Sequence, residues 1–327
     1  MNNPTDRTTW WIDVAIPLHN KGPFIEKTIR SALSQSLRVQ AVYVADDAST
    51  DDGAEIVARI AMEDPRVKLI PSPTGVASGE CATRNRALHA GQSEFVAFID
   101  ADDWWEPNYL QSQVSFFTTD EIGLVHCSGR IVDGITEQKK FDMIPGPLPE
   151  PDNQFDEVRL ERYWVGCPSA VIVRRRIFDV AGDFPEHLSF GGDWDMWARI
   201  AGVTRFAQNV EPLANIRVLQ TYSRTRSKID KYIMWLNVYD RWSADDVFVR
   251  KATDYARRYL LGPQLSAIMD PYKLFIDLPR RVRNEGGIVG SKMFPSYASY
   301  LISILTIPWR GFLGLLRRLD RAWRRAS

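Results

Sequence analysis

Cysteine is scarce. The three present among 327 residues, Cys81, Cys127 and Cys167, are far apart and form no C-x-x-C pair. That pattern excludes a disulfide framework and a cysteine-held zinc site, and it fits a reducing compartment. Long apolar runs are missing as well. The nearest to the roughly 20 residues of a spanning helix is Met293–Trp309, which is interrupted by Pro295, Tyr297, Tyr300 and Pro308. Met1–Thr9 is polar and leads into a strand-like run, so no secretory signal is expected and a cytoplasmic location is. Net charge is absent too, with 41 Lys+Arg against 41 Asp+Glu. No G-x-G-x-x-G supports a dinucleotide fold, and His19, His89, His126 and His187 form no H-E-x-x-H pair. Gly286–Lys292 is one residue short of a phosphate-binding loop and follows no strand.

What is present is a composition able to bury a core, 45% apolar and 25% charged. Through the first hundred residues strand-like and helix-like segments alternate. Asp13–Pro17, Val39–Ala45, Val67–Ile70 and Phe95–Ile99 read as strands. Phe24–Leu37, Asp51–Met62 and Cys81–Ala90 read as helices between them. Such alternation predicts βαβ crossovers, an α/β fold and a mainly parallel sheet, with ligands at the carboxyl ends of the strands. Residues 141–157 read as a loop, Trp164–Val173 as a further apolar segment and Asp193–Ala201 as a helix. Beyond about Arg217 strand signals stop and helical ones take over.

The strongest chemical signal is Phe95-Val-Ala-Phe-Ile-Asp-Ala-Asp-Asp-Trp104, an apolar strand that runs into Asp100, Asp102 and Asp103. Clustered acids repel unless they are solvated or neutralised by a cation, and hard cations such as Mg²⁺ or Mn²⁺ share such oxygens with substrate phosphates. An acidic loop capping the next helix is the plainer alternative. A second acidic turn, Val44-Ala-Asp-Asp-Ala-Ser-Thr-Asp-Asp-Gly53, ends another buried strand. Ser49, Thr50 or Asp51 suffices to cap the helix there, which leaves Asp46 and Asp47 without a capping role. The first strand ends in Pro17-Leu-His-Asn20 on the same edge. Three strand ends converging on one edge define a cleft.

Ala15–Asn20, Ile29-Arg-Ser-Ala-Leu-Ser-Gln35, Val44–Thr50 and Asp100–Asp103, in that order and spacing, together resemble a family 2 inverting glycosyltransferase of the GT-A fold, over residues 11–217. The resemblance implies that Asp46 contacts the nucleotide base and that Pro17 and Asn20 line the base pocket. It implies that Arg84 is a nucleotide-contacting residue and that Asp100-Ala-Asp102 is a D-x-D motif. Asp102 then meets the ribose or the metal, and Asp103 joins metal coordination with Mn²⁺ or Mg²⁺. Inversion needs a base for the acceptor hydroxyl, and Ser189–Trp197 offers Asp193 and Asp195, which at i and i+2 cannot share a helix face. The family's Glu-Asp pair before Trp-x-x-Trp matches Asp193, with Asp195 the alternative. Gly192 stands where the family's Glu is common. Trp194 and Trp197 read either as a stacking wall for a sugar or as core. The family's following His is missing from Asn215–Tyr222, which leaves Arg217, Arg224 or Arg226 to neutralise the leaving group.

From Arg280 to Ser327 ten basic residues stand against Glu285 and Asp320, a charge of +8 that leaves the rest of the chain at −8. At about 100° per residue, Phe312, Leu315, Leu316, Leu319, Ala322 and Trp323 share one helix face, and Arg310, Arg317, Arg318, Arg321, Arg324 and Arg325 the other. This is the pattern of an interfacial membrane helix. Nucleic acid, the other anionic partner, leaves the apolar face unexplained. The expectation is a GT-A domain over 1–217, a helical extension over 218–285 and a membrane-associating tail over 286–327. The expected activity is transfer from a UDP- or dTDP-sugar to a lipid-linked or growing glycan at the inner face of a bacterial membrane. Two other classes are weighed beside it. One is a catalytically silent nucleotide-sugar-binding subunit. The other, a sugar-phosphate nucleotidyltransferase, lacks the glycine-rich basic loop it needs after the first strand.

Overall fold

The computed structural model describes residues 10–218 except 160–162, 164 and 189–190. All lie in the first of two units of the chain, Met1–Arg224. The expected extension beyond Val218, the basic tail, and Arg224 and Arg226 fall outside the described residues.

The first half builds as its hydrophobic pattern predicts. Strands β1 (Ile12–Leu18), β2 (Ala41–Asp46), β3 (Val67–Ile70) and β4 (Phe95–Phe98) alternate with helices α1 (Gly22–Leu33), α2 (Gly53–Glu63) and α3 (Glu80–Ala90). The strands are parallel in the order β3-β2-β1-β4, with Leu18 beside Asp46 and Ala15 beside Phe98. β1 and β4 are apolar on both faces because helices cover both sides. Helix α1 buries Ile25, Ile29 and Ala32, one stripe at i, i+4 and i+7, against that sheet. Asp13, the one charged residue of β1, is buried but accepts from Ser93 N (2.9 Å), Ser93 Oγ (2.8 Å) and Arg175 (2.9 Å).

The second half is mixed. It holds β5 (Trp104–Trp105), α4 (Tyr109–Val114), β6 (Ile122–Asp133), β7 (Lys139–Met143), α5 (Pro151–Arg159), β8 (Val171–Arg174), α6 (Phe178–Ala181), α7 (Gly192–Ala201) and β9 (Arg205–Val218). β8 runs antiparallel to β4 and extends the sheet to β6, β9 and β5, with β7 hairpinned onto β6. β9 is parallel to β6 over most of its fourteen residues. The expectation of a mainly parallel sheet therefore holds for β1–β4, and the sheet as a whole is mixed. The expected loop at 141–157 contains the end of β7 and most of α5. That helix has little apolar surface. It is held by polar groups, with Gln154 Oε1 accepting Phe206 N at 2.9 Å and the Val158 carbonyl accepting Trp194 Nε1 at 2.7 Å.

Candidate active site

The carboxyl ends of β1, β2 and β4 lie on one edge, and three short loops leave it side by side. Asn20 takes a positive φ of 50°, which lets its amide oxygen turn across to the next loop and accept Thr50 N (2.8 Å) and Thr50 Oγ1 (3.2 Å). Its own N–H donates to Ser49 Oγ at 3.1 Å. Pro17 sits half-buried within β1 beside Ala45. Asp46 is 8% exposed, and both its carboxylate oxygens lie 3.3 Å from Ser49 N. Its neighbour Asp47 points the other way. It accepts Ser78 N (2.7 Å), Ser78 Oγ (2.7 Å) and Gly79 N (2.9 Å). Burial works to raise the Asp47 pKa, but those donors outweigh it and hold the carboxyl below its ordinary value. Asp47 thus fixes the loop between β3 and α3, while the only hydrogen bonds to the Asp46 carboxylate among the described residues come from Ser49 N.

The third loop separates its acids by environment. Asp100 N donates to Ser169 Oγ (3.0 Å), and its Oδ1 accepts Arg84 at 2.9 Å. Burial pushes the Asp100 carboxyl up to about 6, Arg84 opposes that, and Glu80 and Asp102 add to it. Asp102 Oδ2 accepts Lys21 Nζ at 2.5 Å. Asp103 turns inward. It is 3% exposed, and its oxygens accept Arg217 N (2.8 Å) and Ser169 Oγ (2.5 Å). Burial first, then Asp102 and Asp100, push its pKa well above the carboxylate range. The inward turn differs from the expectation of an open metal ligand: both oxygens are engaged by groups 66 and 114 residues along the chain.

Two basic residues also differ from expectation. Arg84 is 1% exposed, with its guanidinium over the Phe184 ring and paired to Glu80 and Asp100. Burial disfavours its charge, but the two acids more than compensate and raise its pKa. It braces Asp100 from behind. Arg217 is buried among Asp102 O (2.9 Å), Gly134 O (3.0 Å) and Glu137 (2.7 Å), between the rings of Phe24 and Trp104. It clamps the acidic loop to β9 and is closed off from a leaving group.

Helix α7 approaches from the second half. A Cβ added at Gly192 falls 2.3 Å from Cys81 Sγ, so the start of α7 touches the start of α3 and a glutamate has no room at 192. Asp193 is half-buried, its Oδ1 accepting Trp194 N at 2.9 Å. Its pKa is raised, by burial first and then by Glu80, with Arg84 opposing. Asp195 is fully buried and paired to Arg199 at 2.9 Å, and Asp193 is the more exposed acid of α7. Trp194 and Trp197 are core: one donates to Val158 O, the other packs edge-on to Phe184 at 5.7 Å. Lys21, Glu80 and Ser169 are site residues that the sequence reading did not single out. Only Lys21, in the loop after the first strand, lay where that reading had already looked.

No helix among the described residues is long and apolar enough to cross a membrane. No trio of His, Cys, Asp or Glu side chains among them is grouped to hold a metal by itself.

The model of the family described as "Glycosyl transferase family 2" matches residues 13–181. An uncharacterized glycosyltransferase of Haemophilus influenzae is 30% identical over 140 residues, 41% of this chain and 55% of that protein, so the chain matches about half the length of that relative. The Escherichia coli UDP-Glc:alpha-D-GlcNAc-diphosphoundecaprenol beta-1,3-glucosyltransferase WfaP is 23% identical over 69% of this chain and 84% of its own. A solved structure of the mannosyltransferase PcManGT from Pyrobaculum calidifontis, in complex with GDP-Man and Mn²⁺, is similar with a TM-score of 0.56 and 19% identity, over 95% of this chain and 85% of that one.

Proposed function

The chain belongs to glycosyl transferase family 2, and from that premise we propose an inverting glycosyltransferase that moves a sugar from a nucleoside diphosphate donor to a lipid-linked or growing glycan acceptor. One observation carries the reading: Asp46 at the end of β2 and Asp100 and Asp102 just past β4 share one sheet edge, and Asp193 feels the charges of Glu80 and Arg84, the latter paired to Asp100. The substrate of the Escherichia coli relative supports a UDP-linked donor, with dTDP the alternative, and a role in bacterial cell-envelope synthesis.

In this mechanism Asp46 and Asn20 hold the nucleoside end of the donor. Asp193 takes the acceptor hydroxyl's proton as its oxygen attacks the anomeric carbon from the face opposite the departing diphosphate. Burial and the charge of Glu80 make Asp193 more basic than a free carboxylate. The oxygens of Asp102 and Asp100 fit a hard divalent cation: both carboxylates are partly open on one rim, and two carboxylates completed by substrate phosphates suit Mg²⁺ or Mn²⁺. A cation held by Asp102 and Asp100 would offset the negative charge of the departing diphosphate. Asp103 and Arg84 act one layer behind, keeping those two carboxylates in place.

Melting of the full chain with UDP, dTDP, GDP or CDP, each with Mn²⁺ and with EDTA, tests the donor site. A nucleotide at about 100 times its Kd adds about 2.7 kcal/mol, a rise of roughly 5–10 °C for a domain of this size. A rise for one nucleotide that EDTA removes supports the reading; no rise with any of them overturns it. The filling of the space beside Gly192 by Cys81 favours a second reading, a silent nucleotide-sugar-binding subunit. A melting shift with neither donor hydrolysis nor transfer identifies that case. Association with an anionic membrane is supported by the sequence of the basic tail, and cosedimentation with anionic against neutral vesicles tests it.

A further inference from the structure

The two carboxylates of the D-x-D motif carry unlike counter-charges. Asp100 is paired to Arg84, whose side chain is 1% exposed and held a second time by Glu80. Asp102 is paired at 2.5 Å to Lys21, and that pair is open to solvent, with side-chain exposures of 24% and 17%. The backbone of Lys21 is held on both sides, and its side chain, paired to Asp102, is partly exposed. Asn20 before it is tied to Thr50. Gly22 after it donates to Asp51 Oδ2 at 2.8 Å, and a Cβ there would displace the Asp52 carboxylate, 2.1 Å away. The Lys21 carbonyl accepts Phe24 N and Ile25 N, opening α1. A pinned backbone carrying a flexible four-carbon cation keeps a positive charge within reach of Asp102 and still lets it withdraw.

We infer that the Lys21 ammonium competes with the divalent cation for Asp102 and so sets how tightly this site takes metal. The inference rests on the metal-assisted donor site proposed above. A metal ion approaching Asp102 must displace the ammonium, and the displaced charge stays at the mouth of the same cleft, where the diphosphate arrives. The site is then weak for metal alone and becomes strong when the nucleotide brings its own negative charge.

The test is Mn²⁺ binding to the full chain without nucleotide, followed by the paramagnetic resonance of free Mn²⁺. Lys21→Met, which removes the charge and keeps the length, is expected to bind Mn²⁺ about fivefold more tightly, the scale of a half-exposed ion pair. Lys21→Gln serves in the same way, Lys21→Arg should stay near the parent, and Asp102→Asn should lose most binding. Melting in EDTA checks that each variant is folded. Equal or weaker binding by Lys21→Met, with binding still lost in Asp102→Asn, overturns the role of Lys21 and leaves the metal site standing. Unchanged binding in Asp102→Asn, or no binding in any chain with or without UDP, overturns the metal site and the competition together.

Discussion

The two halves of the sheet position functional groups in opposite ways. On the parallel side Asp46 ends a buried strand, Asp100 and Asp102 stand two and four positions after one, and short loops lock to one another through Asn20, Asp47 and Asp51. On the mixed side buried or partly buried arginines hold acidic groups, two of the three across long stretches of sequence. Arg175 meets Asp13, Arg199 meets Asp195 and Arg217 meets the acidic loop. The parallel half therefore suits a feature common to many donors, a nucleoside diphosphate.

That division can be broken experimentally, beginning with the largest effect. Asp193→Asn removes the base contributed by the mixed half and is expected to lower kcat by about 10²–10⁴-fold with nucleotide affinity unchanged in calorimetry. Nucleotide binding lost together with turnover would show that the halves are not separable. Ser169→Ala is next. It strips Asp103 Oδ2 of its hydroxyl donor and Asp100 N of its acceptor, and it should cost about 1–3 kcal/mol and several degrees of melting temperature. The donor side should weaken with it, which nucleotide affinity reads.

Gly192→Ala drives a Cβ onto Cys81 Sγ and should destabilise by about 1–3 kcal/mol, as overpacking does. Cys81→Ala in the same chain should recover more than half of that loss. An additive double mutant would mean that α7 and α3 do not meet there. The smallest effect is a shift in pH dependence. Glu80 raises the pKa of Asp193, so Glu80→Gln should lower it. Asp193 works when deprotonated, so the acid limb of kcat/KM should move to lower pH. A limb that stays in place or moves upward removes Glu80 from the electrostatics of the base.

The same contrast explains what was legible in the sequence. Strands β1 to β4 and their helices show as plain periodicity, and Asp46, Asp100 and Asp102 follow as the first polar residues beyond buried strands. β6 and β9 are hard to read because their interiors are polar or interrupted: β6 buries His126 and Ser128, and β9 buries Asn209, Asn215 and Arg217. Helix α5 was hidden for a similar reason, since Gln154 and Arg159 are buried where an apolar stripe was sought. The identity of Asp103 as one acid of the cluster was readable. Its inward turn was not, because Ser169 and Arg217 decide it and neither is near in sequence. That Asp195 is buried and paired to Arg199 was not legible either, although the two stand only four residues apart on α7.

Arg217 carries a mechanical consequence. It is the residue before Val218, which ends β9 beside Asp133 and accepts Gly134 N at 3.1 Å. Its backbone N–H grips Asp103 and its guanidinium grips the carbonyl of Asp102. The strand's exit and the acidic loop are one joint. A displacement of Val218 therefore reaches the carboxylate of Asp103 through a single residue.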